Sequence, residues 1–135
     1  MSRSFKSDYS FGKNKEAEYY GAIKNYFNDN IIQTTSRFEK WDFIGDKAVY
    51  ELKSRYNNHN TYADTMIGLD KISTTEKEIV FLFGFYDGLY YIKYDKELFK
   101  EFPVRNFQRN NRADYKDVDK PYIYIPIKHL IQIPL

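Results

Sequence analysis

The pattern of apolar and polar residues along the chain predicts a short series of helices and strands. Apolar residues recur at helical spacing over 15–29 and again over 61–73, so a helix is expected in each range. A shorter helix is expected over 95–102, where Pro103 would end it. Runs rich in β-branched and aromatic residues predict strands. These strands are expected at 31–36, 40–44, 47–54, 78–85, 89–94 and 122–127.

The order of these elements predicts the fold class. A helix, a strand meander, a second helix and further strands indicate a small α/β fold with a mixed central β-sheet flanked by helices. The chain of 135 residues is the length of a single domain, 1–135. The run EIVFLFGF at 78–85 is apolar throughout, as in a strand buried on both faces. Residues 1–13 are polar and basic, and we expect them to be a flexible lead-in.

Charged residues interrupt the two strands of the stretch KWDFIGDKAVYELKSRY, residues 40–56. Gly45-Asp46 is typical of a two-residue hairpin turn. That turn would set Asp42 opposite Val49, on the same sheet face as Glu51 and Lys53. Asp42 would then lie diagonal to Glu51, with Cβ atoms about 7–8 Å apart. Two carboxylates so placed can bind one Mg²⁺ ion, whose remaining ligands would be waters and a substrate phosphate.

The acid-any-lysine pattern has little specificity when it stands alone. Asp114-Tyr115-Lys116 matches it in a segment that reads as a polar loop. Glu51 and Lys53 would by themselves indicate an exposed ion pair, which adds little stability. The aspartate across the hairpin, the acidic helix before it and the helix expected after it all favour a functional site over that interpretation.

Composition excludes several other kinds of site and location. The chain has no cysteine and only two histidines, which excludes thiolate metal sites and disfavours a histidine-based zinc site or a Ser-His-Asp triad. The net charge of +2 does not by itself indicate nucleic-acid binding, so any basic surface must be local. No run is long enough to span a bilayer, and no signal-peptide pattern begins the chain. We expect a soluble, intracellular protein, cytoplasmic or nucleoid-associated, with a viral or phage origin possible.

Over residues 11–94, this order of elements and these charges resemble the PD-(D/E)XK nuclease superfamily. The residues that carry the resemblance are Asp42 and the set Glu51-Leu52-Lys53, together with an acidic residue on the preceding helix. One departure is Trp41, which stands where the motif has proline. The superfamily includes phage and archaeal Holliday-junction resolvases and many restriction endonucleases. The resemblance implies a restriction-endonuclease-like core and Mg²⁺-dependent endonuclease activity on DNA, in recombination or repair, with Mn²⁺ also supporting it.

The resemblance also implies roles for individual residues. Asp42 and Glu51 would bind the metal, Glu16 would be a third ligand or hold a metal-bound water, and Lys53 would position the nucleophilic water. Glu16 is preferred to Glu18 because helical spacing places it on the apolar face of the first helix. A carboxylate on that face needs a cation or another partner.

Basic residues near this motif would contact the phosphates of DNA. Those expected to bind nucleic acid are Ser54, Arg55, Lys71, Arg105, Arg109 and Arg112. If 104–116 is helical, the last three form one basic stripe with Lys116; the alternative is a solvated loop. Such contacts favour recognition of DNA structure, such as branched or damaged DNA, over recognition of base sequence. A homodimer is expected by analogy, because cutting two strands requires two sites.

Two other functions remain open at this point. The first is a nucleic-acid-binding module that has the same fold but does not cleave, and the second is a structural or interaction protein with an aromatic surface. Four intact residues of the motif argue against the first, and measured Mg²⁺ or Mn²⁺ binding would argue against the second.

Overall fold

The computed structural model describes residues 5–35, 39–73, 75–107 and 120–135. In these ranges the chain forms the helices α1 (Phe5–Phe27) and α2 (Lys96–Phe99) and two 3-10 turns, Leu69–Lys71 and Ile127–His129. The strands are β1 (Ile32–Gln33), β2 (Phe43–Ile44), β3 (Ala48–Ser54), β4 (Asp64–Gly68), β5 (Glu78–Phe85), β6 (Gly88–Lys93), β7 (Val104–Phe107), β8 (Lys120–Pro126) and β9 (Ile131–Ile133).

The strands form two sheets. The larger has six strands in the order β1-β2-β3-β5-β6-β9, and the smaller has three in the order β4-β8-β7. In the larger sheet β3 and β5 are parallel while the other neighbours are antiparallel, so the sheet is mixed. The protein is thus a small single-domain α/β fold, as the sequence predicts. Neither helix of the described part is long and apolar enough to cross a membrane.

A separate apolar cluster covers each face of the larger sheet. On one face, α1 contributes Tyr19 and Ile23, which pack with residues of β3 and β5 such as Leu52 and Leu82. On the other face the second sheet and α2 cover β5, and Phe81 is one of the residues at the centre of that cluster. Strand β5 is therefore buried on both faces, as its continuous apolar run predicts. The molecule has three layers: a helix, a six-stranded sheet and a smaller sheet.

The first helix is longer than the sequence predicts. It begins at Phe5, where the sequence indicates an unstructured lead-in up to residue 13. The segment contains Ser, Asp and Gly, which have weak helix propensity. Once residues 16–27 form a packed helix, however, each further residue adds a hydrogen bond without a new nucleation step. Low propensity therefore does not prevent the helix from extending toward the N-terminus.

The helix predicted over 61–73 is wrong, and this segment forms β4 and a 3-10 turn. Burial alternates along β4, with Thr65 and Ile67 buried and their neighbours half-buried. Both residues are β-branched and Gly68 follows them, which disfavours a helix. Pairing with β8 decides the outcome, and the two strands are aligned with Ile67 opposite Ile123.

The register of the β2–β3 hairpin differs from the predicted one by two residues. Ile44 lies opposite Val49, not opposite Lys47, and the backbone N–H of Gly45 donates to the carbonyl of Ala48 at 2.8 Å. The turn residues are therefore Asp46 and Lys47, and not Gly45-Asp46. A shift of two residues keeps every side chain on its predicted face. The paired register ends at Phe43, opposite Tyr50, and the backbone N–H of Asp42 also donates to the carbonyl of Tyr50 at 3.0 Å.

The chain after α2 also differs from the prediction. Residues 104–107 form strand β7, so Arg105 does not lie on a helix. Arg109, Arg112 and Lys116 lie outside the described residues. Strand β8 covers the predicted 122–127 strand except Ile127, which begins a 3-10 turn. Strand β9 was not predicted, because three residues carry too little pattern.

The carboxylate of Asp29, which follows α1, stabilises the hairpin turn. Its Oδ1 accepts hydrogen bonds from the backbone N–H groups of Asp46 at 3.0 Å and Lys47 at 3.2 Å. Its Oδ2 accepts from the hydroxyl of Tyr50 at 2.9 Å. Burial raises the pKa of Asp29, but the bonds from Tyr50 and from the backbone of Lys47, Asn30 and Asp46 outweigh that effect and the pKa is lowered. This side chain holds the turn on which the position of the acidic residues depends.

Replacing Asp29 by Asn is expected to lower the free energy of unfolding by about 1–2 kcal/mol at neutral pH, because the bonds to a charged acceptor are lost. The lowered pKa of Asp29 means that its contribution is fully present above pH 3.8 and is lost as the pH falls through the folded-state pKa. Urea denaturation at several pH values should therefore show a difference between wild type and variant that shrinks below pH 3.8. A constant difference down to strongly acidic pH would contradict this account.

Candidate active site

Glu51 lies in the middle of β3 and is buried, with 3% of the residue exposed. Its Oε1 pairs with the ammonium groups of Lys53 at 3.0 Å and Lys71 at 3.4 Å. Its Oε2 is also buried, yet it has no hydrogen-bond partner. A buried carboxylate oxygen without a partner is energetically costly, so this atom is a candidate ligand position for a cation.

Asp42 and Glu16 lie beside Glu51. The Oδ2 of Asp42 accepts a hydrogen bond from the backbone N–H of Leu52 at 2.8 Å, which fixes the carboxylate against β3. Glu16, on α1, is only 7% exposed and forms a side-chain hydrogen bond with Asp42. Glu18 is exposed. The structure thus brings together the acids expected at the site. Of the two glutamates on α1, Glu16 is the buried one, as its helical position predicts.

Burial and the closeness of the acids raise the pKa values of Asp42 and Glu51. Burial, the charge of Glu16 and the hydrogen bond with it raise the pKa of Asp42 to about 6, although the N–H of Leu52 and the charge of Lys53 oppose the rise. Burial and the charge of Asp42 also raise the pKa of Glu51, against the opposing effect of Lys53 and Lys71. The positive charges of Lys53 and Lys71 offset only part of the effect that burial and the neighbouring acids have on the pKa values of the two carboxylates. A bound cation would offset the rest.

Lys71 joins this site through the structure rather than through local sequence. It ends the 3-10 turn after β4, and its ammonium group donates to the carbonyl of Lys40 at 3.2 Å as well as pairing with Glu51. The turn comes close to β3 only because β4 pairs in the second sheet. Glu51 therefore faces two lysines, where the sequence suggested one.

The donor set fits a cation held by two protein carboxylates. Within the described ranges, no three Asp, Glu or His side chains already converge to hold a metal ion. Glu16 forms its side-chain hydrogen bond with Asp42, which leaves Asp42 and Glu51 as the two candidate donors. Mg²⁺ usually binds through one or two carboxylates and keeps several waters, and the unpartnered Oε2 of Glu51 is the oxygen that it would use.

A cavity of about 510 Å³ lies next to Lys53, between β3 and the second sheet. Its lining residues are Lys53, Arg55, Met66, Gly68, Asp70, Lys71, Lys120, Pro121 and Tyr122. Arg55 and Lys71 are thus brought together as expected. Ser54 is not, because alternation along β3 turns its side chain to the opposite face from Lys53.

The remaining predicted phosphate-binding residues lie elsewhere. Arg105 is on β7, where its guanidinium lies 4.4 Å from the ring centroid of Tyr124. Arg109 and Arg112 fall outside the described residues. Sequence reasoning missed Lys120 and Tyr122 in the cavity, since both belong to a strand that reaches the site by pairing with β4. Tyr122 and Tyr124 are two residues apart on a predicted strand, and this spacing indicated that they share a face.

The chain was compared with protein-family models, with curated proteins and with solved structures, and none of the three comparisons finds a match.

The raised pKa of Asp42 leads to a prediction about stability without metal. Because its folded-state pKa is about 6 against 3.8, its ionisation lowers the stability of the fold as the pH rises between these values. Asp42→Asn removes the ionisation. The free energy of unfolding of the variant at pH 8 should therefore exceed that of wild type by on the order of 1 kcal/mol. The difference should vanish near pH 3.8. Urea denaturation in EDTA measures the difference at each pH. A variant less stable than wild type at pH 8 would contradict the prediction.

Proposed function

We propose that this protein is a metal-dependent endonuclease that hydrolyses phosphodiester bonds of DNA, with a core of the restriction-endonuclease type. The observation that carries the proposal is the buried Glu51, whose Oε2 has no partner and which lies across a hairpin from Asp42. A purely structural ion pair needs only Oε1, which already contacts two lysines. A second, desolvated oxygen next to another carboxylate is what binding of a hard cation requires.

Each side chain has a distinct part in the proposed reaction. Asp42 and Glu51 would hold Mg²⁺, which when bound polarises a phosphate and lowers the pKa of a bound water. Glu16 is bonded to Asp42 and sets the orientation of that carboxylate. Lys53 and Lys71 line the cavity and would place two positive charges beside a phosphate that gains negative charge in the reaction.

Part of the order of elements around the site supports the proposal. An acid-bearing helix precedes a hairpin, and the parallel pairing of β3 with β5 follows. The connection between those strands is the departure, since it contains β4 and a 3-10 turn where the family's core has a helix. The proposal extends to structure-selective cleavage in recombination or repair, because the basic residues beside the site would contact the phosphate backbone, which carries no base sequence. A homodimer would supply the second site for cutting two strands.

A nucleic-acid-binding module that does not cleave is the second candidate. It is favoured by the two lysines that already pair with Glu51, since they neutralise part of the charge that a cation would neutralise. This function predicts DNA binding that is indifferent to Mg²⁺ and to the loss of the carboxylate.

Cleavage of a supercoiled plasmid and of a synthetic four-way junction, each with Mg²⁺, Mn²⁺ or EDTA, tests the proposal. Nicking or cutting that requires metal is the expected result, and DNA binding without cleavage in either metal would exclude the nuclease. Glu16→Gln should slow cleavage about 10–100-fold, as loss of a group that orients a metal ligand typically does. Glu18→Gln, the exposed acid on the same helix, is the matched control and should cleave at the wild-type rate.

A further inference from the structure

The second sheet has an outer face that the proposed chemistry does not use. Along β4 and β8 the inward residues, Ile67, Ile123 and Ile125, are buried in the core. The alternate residues Met66, Tyr122 and Tyr124 are only half-buried, and Met66 lies opposite Tyr124 in the register. This face therefore presents two tyrosines at positions two residues apart on one strand, about 6–7 Å from each other.

Two cavities lie between the second sheet and the end of β3, and residues of this face line part of each. The first is the cavity of about 510 Å³ beside Lys53, and Tyr122 forms part of its wall. The second, of about 460 Å³, is lined by Arg55, Asn57, His59, Tyr62, Asp64, Thr65, Met66, Phe85, Tyr124 and Ile127. Arg55 and Met66 line both cavities, so the two are adjacent. We call them together the groove.

The charge of the groove suits a polyanion at the end nearest Glu51. Four basic side chains line the first cavity, and Asp70 is the acid among its lining residues. Arg55 is held in place by bonds to the carbonyl of Met66 at 2.6 Å and to the hydroxyl of Thr65 at 3.3 Å. An arginine fixed in this way gives a phosphate a preformed partner.

The aromatic content of the groove decides what form of nucleic acid fits it. Tyr122 lines the first cavity and Tyr124 the second, with the guanidinium of Arg105 over one face of the Tyr124 ring. Tyr62, which is 65% exposed, also lines the second cavity. A base stacks on such rings only when its own face is open, as it is in a single strand. A duplex conceals those faces and presents mainly its phosphates and base edges.

From this arrangement we propose that the groove binds an unpaired strand of nucleic acid, which stacks bases on Tyr122 and Tyr124 and leads the strand to Glu51. The proposal rests on the proposed function and names its substrate class, a DNA with a single-stranded segment such as a flap or an open junction arm. It concerns binding, so it is testable without cleavage.

Fluorescence anisotropy with a labelled twelve-nucleotide oligothymidylate, in EDTA at fixed salt, measures this binding directly. The single strand should bind at least about tenfold more tightly than a duplex of the same length. Tyr122→Ala and Tyr124→Ala should each weaken it about tenfold, the typical effect of losing one stacked base. Tyr86→Ala is the matched control, because Tyr86 is 63% exposed and is not among the residues that line the groove.

Equal affinity for single strand and duplex, or wild-type affinity in both tyrosine variants, would overturn the groove proposal. Circular dichroism shows whether those variants fold, and Tyr62→Ala, a change at an exposed side chain, serves as a further variant if they do not; it too should weaken binding. The two proposals fail separately. Single-strand binding without metal-dependent cleavage would retain the groove and exclude the nuclease, whereas cleavage without single-strand preference would do the reverse.

Discussion

Glu51→Gln is expected to reduce Mg²⁺-dependent cleavage by at least about 10²-fold, the loss that follows removal of one preorganised electrostatic group from an active site. Glutamine keeps the shape of the side chain but lacks the charge that a hard cation needs. The fold should remain intact and its midpoint of thermal unfolding should stay the same or rise, because the wild-type carboxylate is buried and its pKa is raised. Plasmid nicking rates and thermal melts measure both effects.

The matched control is Glu78→Gln. Glu78 lies at the start of β5 with its side chain 63% exposed, and its ion pair with Lys93 at 3.6 Å is a surface contact. This variant should cleave at the wild-type rate. If Glu51→Gln also cleaves as fast as wild type, then Glu51 has only the structural role of an ion-pair partner and the nuclease proposal is wrong.

Gly45→Ala should have the largest effect on stability, a loss of about 3 kcal/mol or more in the free energy of unfolding. A Cβ at position 45 would lie 2.0 Å from Oδ2 of Asp29, so the carboxylate would have to leave. Asp29 would then lose its bonds to the hairpin turn and to Tyr50, and bonds to a charged group contribute about 1.5–3 kcal/mol each. Chemical denaturation measures the loss.

The control for this prediction is a glycine with open space around it. At Gly21, on α1, an added Cβ meets nothing within 4 Å. Gly21→Ala should therefore stabilise the protein by about 1 kcal/mol, the difference in helix propensity between the two residues. If Gly45→Ala is as stable as wild type, then the contact with Asp29 does not determine the turn.

The grouping of Asp42, Glu51 and Lys53 was predictable because it depends on strand parity. The predicted turn was displaced, yet an error of two residues leaves the paired residues of β2 and β3 on their predicted faces. Asp42, just before the last paired residue of β2, still meets β3, where its carboxylate accepts from the N–H of Leu52. Glu16 was predictable for a similar reason, since helical phase separates it from Glu18. Strand alternation and helical periodicity are local properties. The face that they assign to a side chain does not depend on where the element is predicted to begin or end.

The second sheet was not predictable in this way. Residues 61–73 have apolar positions that fit a helix, and only the pairing of β4 with β8 makes a strand there. Lys71, Lys120 and Tyr122 reach the site through that pairing. The approach of Asp29 to Gly45 is likewise invisible in a sequence that reads Gly45-Asp46 as an ordinary turn.

The sequence by itself therefore determined the α/β class, the doubly buried β5 and the face on which the acids and Lys53 lie, because each follows from periodicity within one or two neighbouring elements. Tertiary structure alone decided the second lysine on Glu51, the burial that leaves Oε2 without a partner, and the groove between β3 and the second sheet. These features arise where strands distant along the chain pair. The free energy of that pairing outweighs the local propensity of 61–73, and no local pattern records it.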